Sequence, residues 1–118
     1  MKTNQHSERA VKFILTRNLE ELAYLTETQV ANKVGVNKTY LCRIFRAVQD
    51  ISIDRFILRE KLHRAVFMLE KMPEISIETL SVKLGFPGTE YFIREFENYF
   101  AVKPGRYKEL KYNTINKS

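Results

Sequence analysis

One pattern occurs twice in this chain. Val30, Gly35, Tyr40, Leu41, Arg43 and Phe45 recur as Leu80, Gly85, Tyr91, Phe92, Arg94 and Phe96. The copies are offset by 50 residues up to the glycine and by 51 after it, so the single extra residue falls in the turn. Each copy reads as a short helix, a glycine turn and a longer helix with a basic residue projecting from it. Such a repeat constrains a chain of 118 residues to one compact unit or two very small helical lobes. A lobe of roughly 50 residues is near the lower size limit for independent folding, so a shared element between the lobes is expected.

Elsewhere apolar residues recur at helical spacing and strand-like alternation is weak, which predicts an all-α chain of seven helices. Ser7 is the expected cap of a first helix over 8–24, with Val11, Ile14, Leu15, Leu19 and Leu22 as its buried stripe. Thr26 and Gln29 have capping-box spacing and start a second helix near residue 27, which Gly35 ends. Asn37 caps a third helix running to about Val48. Ser52 caps a long helix over 53–71, whose broad stripe (Ile53, Phe56, Ile57, Leu62, Ala65, Val66, Leu69) suits packing on both lobes, and Pro73 stops it. Ser76 caps a fifth helix over 77–84, a sixth covers 89–99, and Pro104 suits the first position of a seventh over 104–111. The expected division is a flexible 1–7, a first lobe 8–50, a connecting helix 51–72, a second lobe 73–112 and a flexible tail 113–118.

This outline is that of a doubled helix-turn-helix, whose second helix enters a DNA major groove. The charge is compatible: 20 basic residues against 14 acidic give +6, which suits a polyanion without requiring one. Residues 28–49 carry +4 and no acid, residues 77–100 carry −2, and 101–118 carry +4. The first lobe and the last helix are therefore expected to supply most of the phosphate attraction. Cys42 is the only cysteine, which excludes an intramolecular disulfide or a cysteine zinc cluster and fits a reduced, cytoplasmic setting. His6 and His63 have no ligand-like companions, so neither metal nor cofactor is expected. No Ser/His/Asp arrangement, glycine-rich phosphate loop or paired catalytic carboxylate stands out, so an enzyme is not expected. The amino end lacks the apolar run of a secretion signal. No stretch approaches the roughly 20 apolar residues that span a bilayer.

The second copy also carries a family signature. Ile77 and Leu80, then Leu84-Gly85-Phe86, Tyr91-Phe92-x-Arg94-x-Phe96 and Tyr99-Phe100-x-Val102-x-Pro104-x-x-Tyr107 resemble the AraC/XylS family of bacterial transcription regulators. The first copy agrees through Val30-Ala31, Gly35-Val36 and Tyr40-Leu41-x-Arg43-x-Phe45, and the resemblance covers about residues 8–112. It implies seven helices, two helix-turn-helix lobes joined by a long central helix, and binding as a monomeric unit to an asymmetric double-stranded operator near a promoter. Family members usually activate transcription by touching RNA polymerase, and many carry a separate effector or dimerisation domain. Ser81 stands where the family usually has alanine, Glu97 where lysine or arginine is common, and Pro87-Gly88 where a polar capping residue is usual.

The candidate DNA-contacting residues are Asn37, Lys38, Thr39, Cys42, Arg43 and Arg46 on the first recognition helix, about 38–48. On the second, about 89–99, they are Gly88, Thr89, Glu90, Ile93 and Arg94, with Tyr40, Tyr91, Arg106, Tyr107 and Lys108 expected at phosphates. A guanidinium at Arg43 donates two bonds to guanine O6 and N7 or grips a phosphate; the alternative is an internal salt bridge. Arg94 has Glu90 four residues earlier, so a helix-surface pair competes with DNA there. Cys42 meets a thymine methyl or is simply half-buried, and Glu90 accepts from cytosine N4 or is solvated. Leu41, Phe45, Phe92 and Phe96 are expected in the core. A rival reading keeps the fold but uses the acidic second lobe to bind protein, with weak DNA affinity.

Overall fold

The computed structural model describes the backbone of residues 4–116 and the side chains of residues 4–110. Among these residues every regular element is a helix. They are α1 (Gln5–Leu15), α2 (Leu19–Ala23), α3 (Glu27–Val34), α4 (Lys38–Gln49), α5 (Ile53–Lys71), α6 (Ile77–Lys83), α7 (Thr89–Phe100) and α8 (Pro104–Asn116). The all-α expectation holds, but the count is eight rather than seven. The expected first helix is two helices, because Asn18 accepts from the Glu21 N–H at 2.8 Å while the Glu21 carboxylate accepts from the Asn18 N–H at 3.1 Å. This capping box restarts the chain at Leu19.

Two further corrections concern the amino end. Asn4, not Ser7, caps α1, its Oδ1 accepting from the backbone of His6 and Ser7. Ser7 lies inside the helix, fully buried, and its Oγ accepts from Gln49 Nε2 at 3.2 Å. Leu15, expected on the buried stripe, is 46% exposed, because α1 ends there; Ala10 is buried instead. At the other end α8 continues past residue 111 to Asn116. The outermost parts of the two expected flexible ends, residues 1–3 and 117–118, lie outside the described residues.

The chain forms two compact units, Met1–Glu60 and Lys61–Ser118, so the division falls within α5. In the first, α1 packs on both α3 and α4. Ile14, Leu22, Val30, Leu41, Phe45 and Ile53 are fully buried at its centre, and Ile57 adds the first half of α5. Phe45 meets Phe56 edge-on with centroids 5.5 Å apart. In the second unit Leu62, Ala65, Met68, Leu69, Leu80, Leu84, Phe92 and Phe96 are buried. An aromatic run crosses it: Phe86 to Phe92 at 4.9 Å, Phe92 to Phe96 at 5.8 Å, Phe96 to Phe100 at 4.6 Å. The four residues expected in the core of the two longer helices, Leu41, Phe45, Phe92 and Phe96, all have zero exposure.

Candidate nucleic-acid interface

Each unit builds the same turn. Gly35 takes φ 85° and Gly85 φ 75°, the left-handed region where glycine has no steric penalty. The residue after each glycine bonds back by five: Val36 N–H to Ala31 O at 3.2 Å, and Phe86 N–H to Ser81 O at 3.1 Å. Ala31 and Ser81 are themselves buried, which explains a small residue at both positions. The longer helices also end alike, on non-glycine residues at positive φ: Asp50 at 60° and Ala101 at 63°.

The helix starts differ. Asn37 caps α4 by accepting from the Tyr40 N–H at 3.1 Å. Gly88 caps α7 in extended backbone with no side-chain bond. The apolar faces of α4 and α7 are buried through Leu41 and Phe45, and through Phe92 and Phe96. That fixes which residues face solvent.

On α4 the outward residues are Lys38, Thr39, Tyr40, Arg43 and Arg46, preceded by exposed Asn37. Arg43 has its guanidinium carbon 5.8 Å from the Tyr40 ring centroid. It makes no salt bridge with a carboxylate among the described residues, the competing reading of this side chain. Cys42 is half-buried; burial first, then Glu27 at the start of α3, push its thiol above the ordinary 9.0, while Lys38 works the other way. The thiol therefore stays neutral at physiological pH. Glu27, just outside the acid-free stretch, is thus the carboxylate that the sequence did not place beside the first recognition helix.

On α7 Glu90 and Arg94 are exposed. Arg94 lies 5.2 Å from the Tyr91 ring centroid, and its ion pair is a long 3.9 Å contact to adjacent Glu95, not to Glu90. Thr89 and Ile93 are half-buried and line an open groove of about 660 Å³ with Ser76, Ile77, Lys103 and Pro104. They stand less far out than Glu90 and Arg94.

The three residues expected at phosphates on α8 have partners of their own. The Tyr107 hydroxyl donates to Glu70 at 2.8 Å, and Lys108 Nζ donates to the Ile75 carbonyl at 2.6 Å. Arg106, exposed, pairs with Glu109 at 3.3 Å. Burial and Glu70 push the Tyr107 phenol up to about 12. Two side chains of α8 thus tie it to the end of α5 and to the segment before α6.

Sequence reasoning missed two supports of the first unit. Arg9 Nη1 donates to the Val34 carbonyl at 3.1 Å, tying α1 to the last turn of α3. Arg17 lies 4.1 Å over the Phe13 ring and donates from Nε to the Phe13 carbonyl at 2.9 Å. The Arg9 contact spans 25 residues and leaves no local signal. Among the described residues no group of His, Cys, Asp and Glu could hold a metal, and no helix is long and apolar enough to cross a membrane.

Known proteins share this arrangement. A helix-turn-helix domain model matches residues 30–110. The Msm operon regulatory protein of Streptococcus mutans is 33% identical over 75% of this chain, which spans 32% of that protein. The transposon Tn10 TetD protein of Escherichia coli is 29% identical over 82% of the chain and 68% of its own length. Among solved structures, an AraC-type DNA-binding domain protein of Chromobacterium violaceum superposes with a TM-score of 0.79 at 23% identity, covering 90% of this chain and 91% of that one. The C-terminal domain of AraT, a response regulator of Geobacillus stearothermophilus, superposes at 0.78 and 22% identity, covering 93% and 88%.

Proposed function

Because the chain belongs to the AraC-type family of helix-turn-helix DNA-binding transcription regulators, we propose that it reads an operator with both repeats, α4 and α7 entering successive major-groove segments. The observation that carries this is the twin pair: Tyr40 with Arg43 and Tyr91 with Arg94, at one register of two outward faces, each arginine beside its tyrosine ring. A guanidinium held on an aromatic face loses rotamer freedom before DNA arrives, and at Arg43, which has no carboxylate partner among the described residues, the donors stay available for guanine O6 and N7. Lys38 and Arg46 neutralise phosphates, and Thr39 and Cys42 supply small contacts at the front of α4. A neutral thiol suits a thymine methyl. On α7, Arg94 reads with Glu90, and Thr89 and Ile93 form the wall behind them.

In this reading the chain binds as a monomeric unit and activates transcription in the cytoplasm by touching RNA polymerase. Linkage to an effector or dimerisation domain belongs to the same reading. It is supported by the fraction of the Streptococcus mutans relative, 32%, that this chain spans.

The test is binding to a duplex selected from a random-sequence pool by the unaltered chain. Arg43→Ala weakens that binding by about 1–3 kcal/mol, the worth of a bidentate base contact. Log affinity falls steeply with log salt as phosphate-bound cations are released. Unchanged affinity in Arg43→Ala together with a flat salt response contradicts the reading and favours a protein-binding module built on the acidic second lobe.

A further inference from the structure

The tyrosine beside Arg43 has a second ring against it. His6 meets Tyr40 edge-on, centroids 6.0 Å apart at 76°. His6 stands in the first turn of α1, outside the repeated pattern and 34 positions before Tyr40. Its Nδ1 is buried with no hydrogen-bond partner in the protein. A buried ring nitrogen left unpaired gives no stabilising bond. The ring's aromatic neighbour is Tyr40. Its helix is fixed on both parts of the reader: Arg9 binds the end of α3, and Ser7 accepts from Gln49 at the end of α4.

The second unit solves the same problem differently. There Tyr91 is flanked by Phe86, centroids 6.1 Å apart, a buried ring from the turn directly before α7. The counterpart of Phe86 in the first copy is Val36, which has no ring to offer. The first repeat has no ring in its own turn, and a histidine from α1 stands against Tyr40 instead.

We propose that His6 is a positioning residue for base reading: it braces Tyr40, Tyr40 holds Arg43, and α1 contributes to operator selection without touching a base. This rests on Arg43 reading DNA as described above. The whole chain is tested on a duplex selected from a random-sequence pool and on random-sequence duplex. His6→Ala weakens binding to the selected duplex about two- to tenfold, what one aromatic edge contact is worth. It leaves random-sequence affinity and the salt slope unchanged. His6→Phe, which keeps a ring and removes the unpaired nitrogen, stays within about twofold of the unaltered chain. In an Arg43→Ala background, His6→Ala has no further effect, because residues acting through one group are not additive.

Thermal melting of each variant separates a lost brace from a lost fold. Three results overturn the proposal while leaving the DNA reading of Arg43 intact: equal loss from His6→Ala in both backgrounds, failure of a stably folded His6→Phe to restore binding, and equal loss on both duplexes. Arg43→Ala without effect on the selected duplex overturns the reading beneath it as well.

Discussion

Arg43 and Tyr107 show how a single side chain is assigned by what its neighbours leave free. Arg43 has an aromatic ring beside it and no carboxylate partner among the described residues, so its donors are available to a ligand. Tyr107 bonds Glu70, so its hydroxyl is engaged within the fold. The tyrosine bond has a pH signature. Burial and Glu70 disfavour the phenolate in the folded chain, raising the group from 10.0 to about 12. Between those values the unfolded chain loses the proton while the folded chain keeps it, so stability falls as pH rises. The bond's contribution is therefore complete below pH 10 and lost as pH climbs through about 12. Urea melts across that range check this: Tyr107→Phe flattens the decline relative to the unaltered chain, and an identical decline in both contradicts the assignment. At Cys42 the raised thiol predicts alkylation at neutral pH slower than that of an unstructured cysteine peptide. A rate equal to the peptide's contradicts the half-buried setting of the thiol beside Glu27.

At the scale of elements, helix ends decide most of the architecture, and they are where the sequence speaks most clearly. A side-chain cap is a contact over three residues, so the Thr26–Gln29 capping box and the single caps at Asn37 and Ser76 were legible from the sequence, and all three cap their helices. Asn18 with Glu21 carries the same signal. It was masked because Leu15, Leu19 and Leu22 keep helical spacing straight across the break. The unequal caps of α4 and α7 make a prediction. Asn37→Ala removes a bonded cap and lowers stability by about 1 kcal/mol. Gly88 has extended backbone, and a Cβ added there meets nothing within 4 Å. Gly88→Ser therefore supplies the missing cap and raises stability by about 0.3 kcal/mol. Thermal melts with opposite signs support the cap assignment; a destabilised Gly88→Ser contradicts it. What spacing did not reveal at this scale were bonds between distant elements, such as Arg9 to Val34 and Tyr107 to Glu70.

For the whole molecule, duplication is the organising fact. Turn geometry, buried small residue, left-handed helix end and Tyr–Arg pair recur in both units. The glycine turns and the repeated Tyr and Arg positions were legible in the repeat; the left-handed helix ends at Asp50 and Ala101 and the packing of each arginine against its tyrosine were not, because no residue type marks them. The departures between copies carry what the repeat does not: Asn37 against Gly88, Val36 against Phe86, and +4 over 28–49 against −2 over 77–100. In the proposed reading α4 is thus better supplied with cations for phosphate than α7, whose lobe draws its positive charge from residues 101–118. The most direct measurement is hydroxyl-radical footprinting on a selected duplex with the unaltered chain, Arg43→Ala and Arg94→Ala. Two protected segments about 10 base pairs apart on one face, one weakened by each substitution, are the predicted result. A single protected segment, indifferent to Arg94→Ala, would contradict the account.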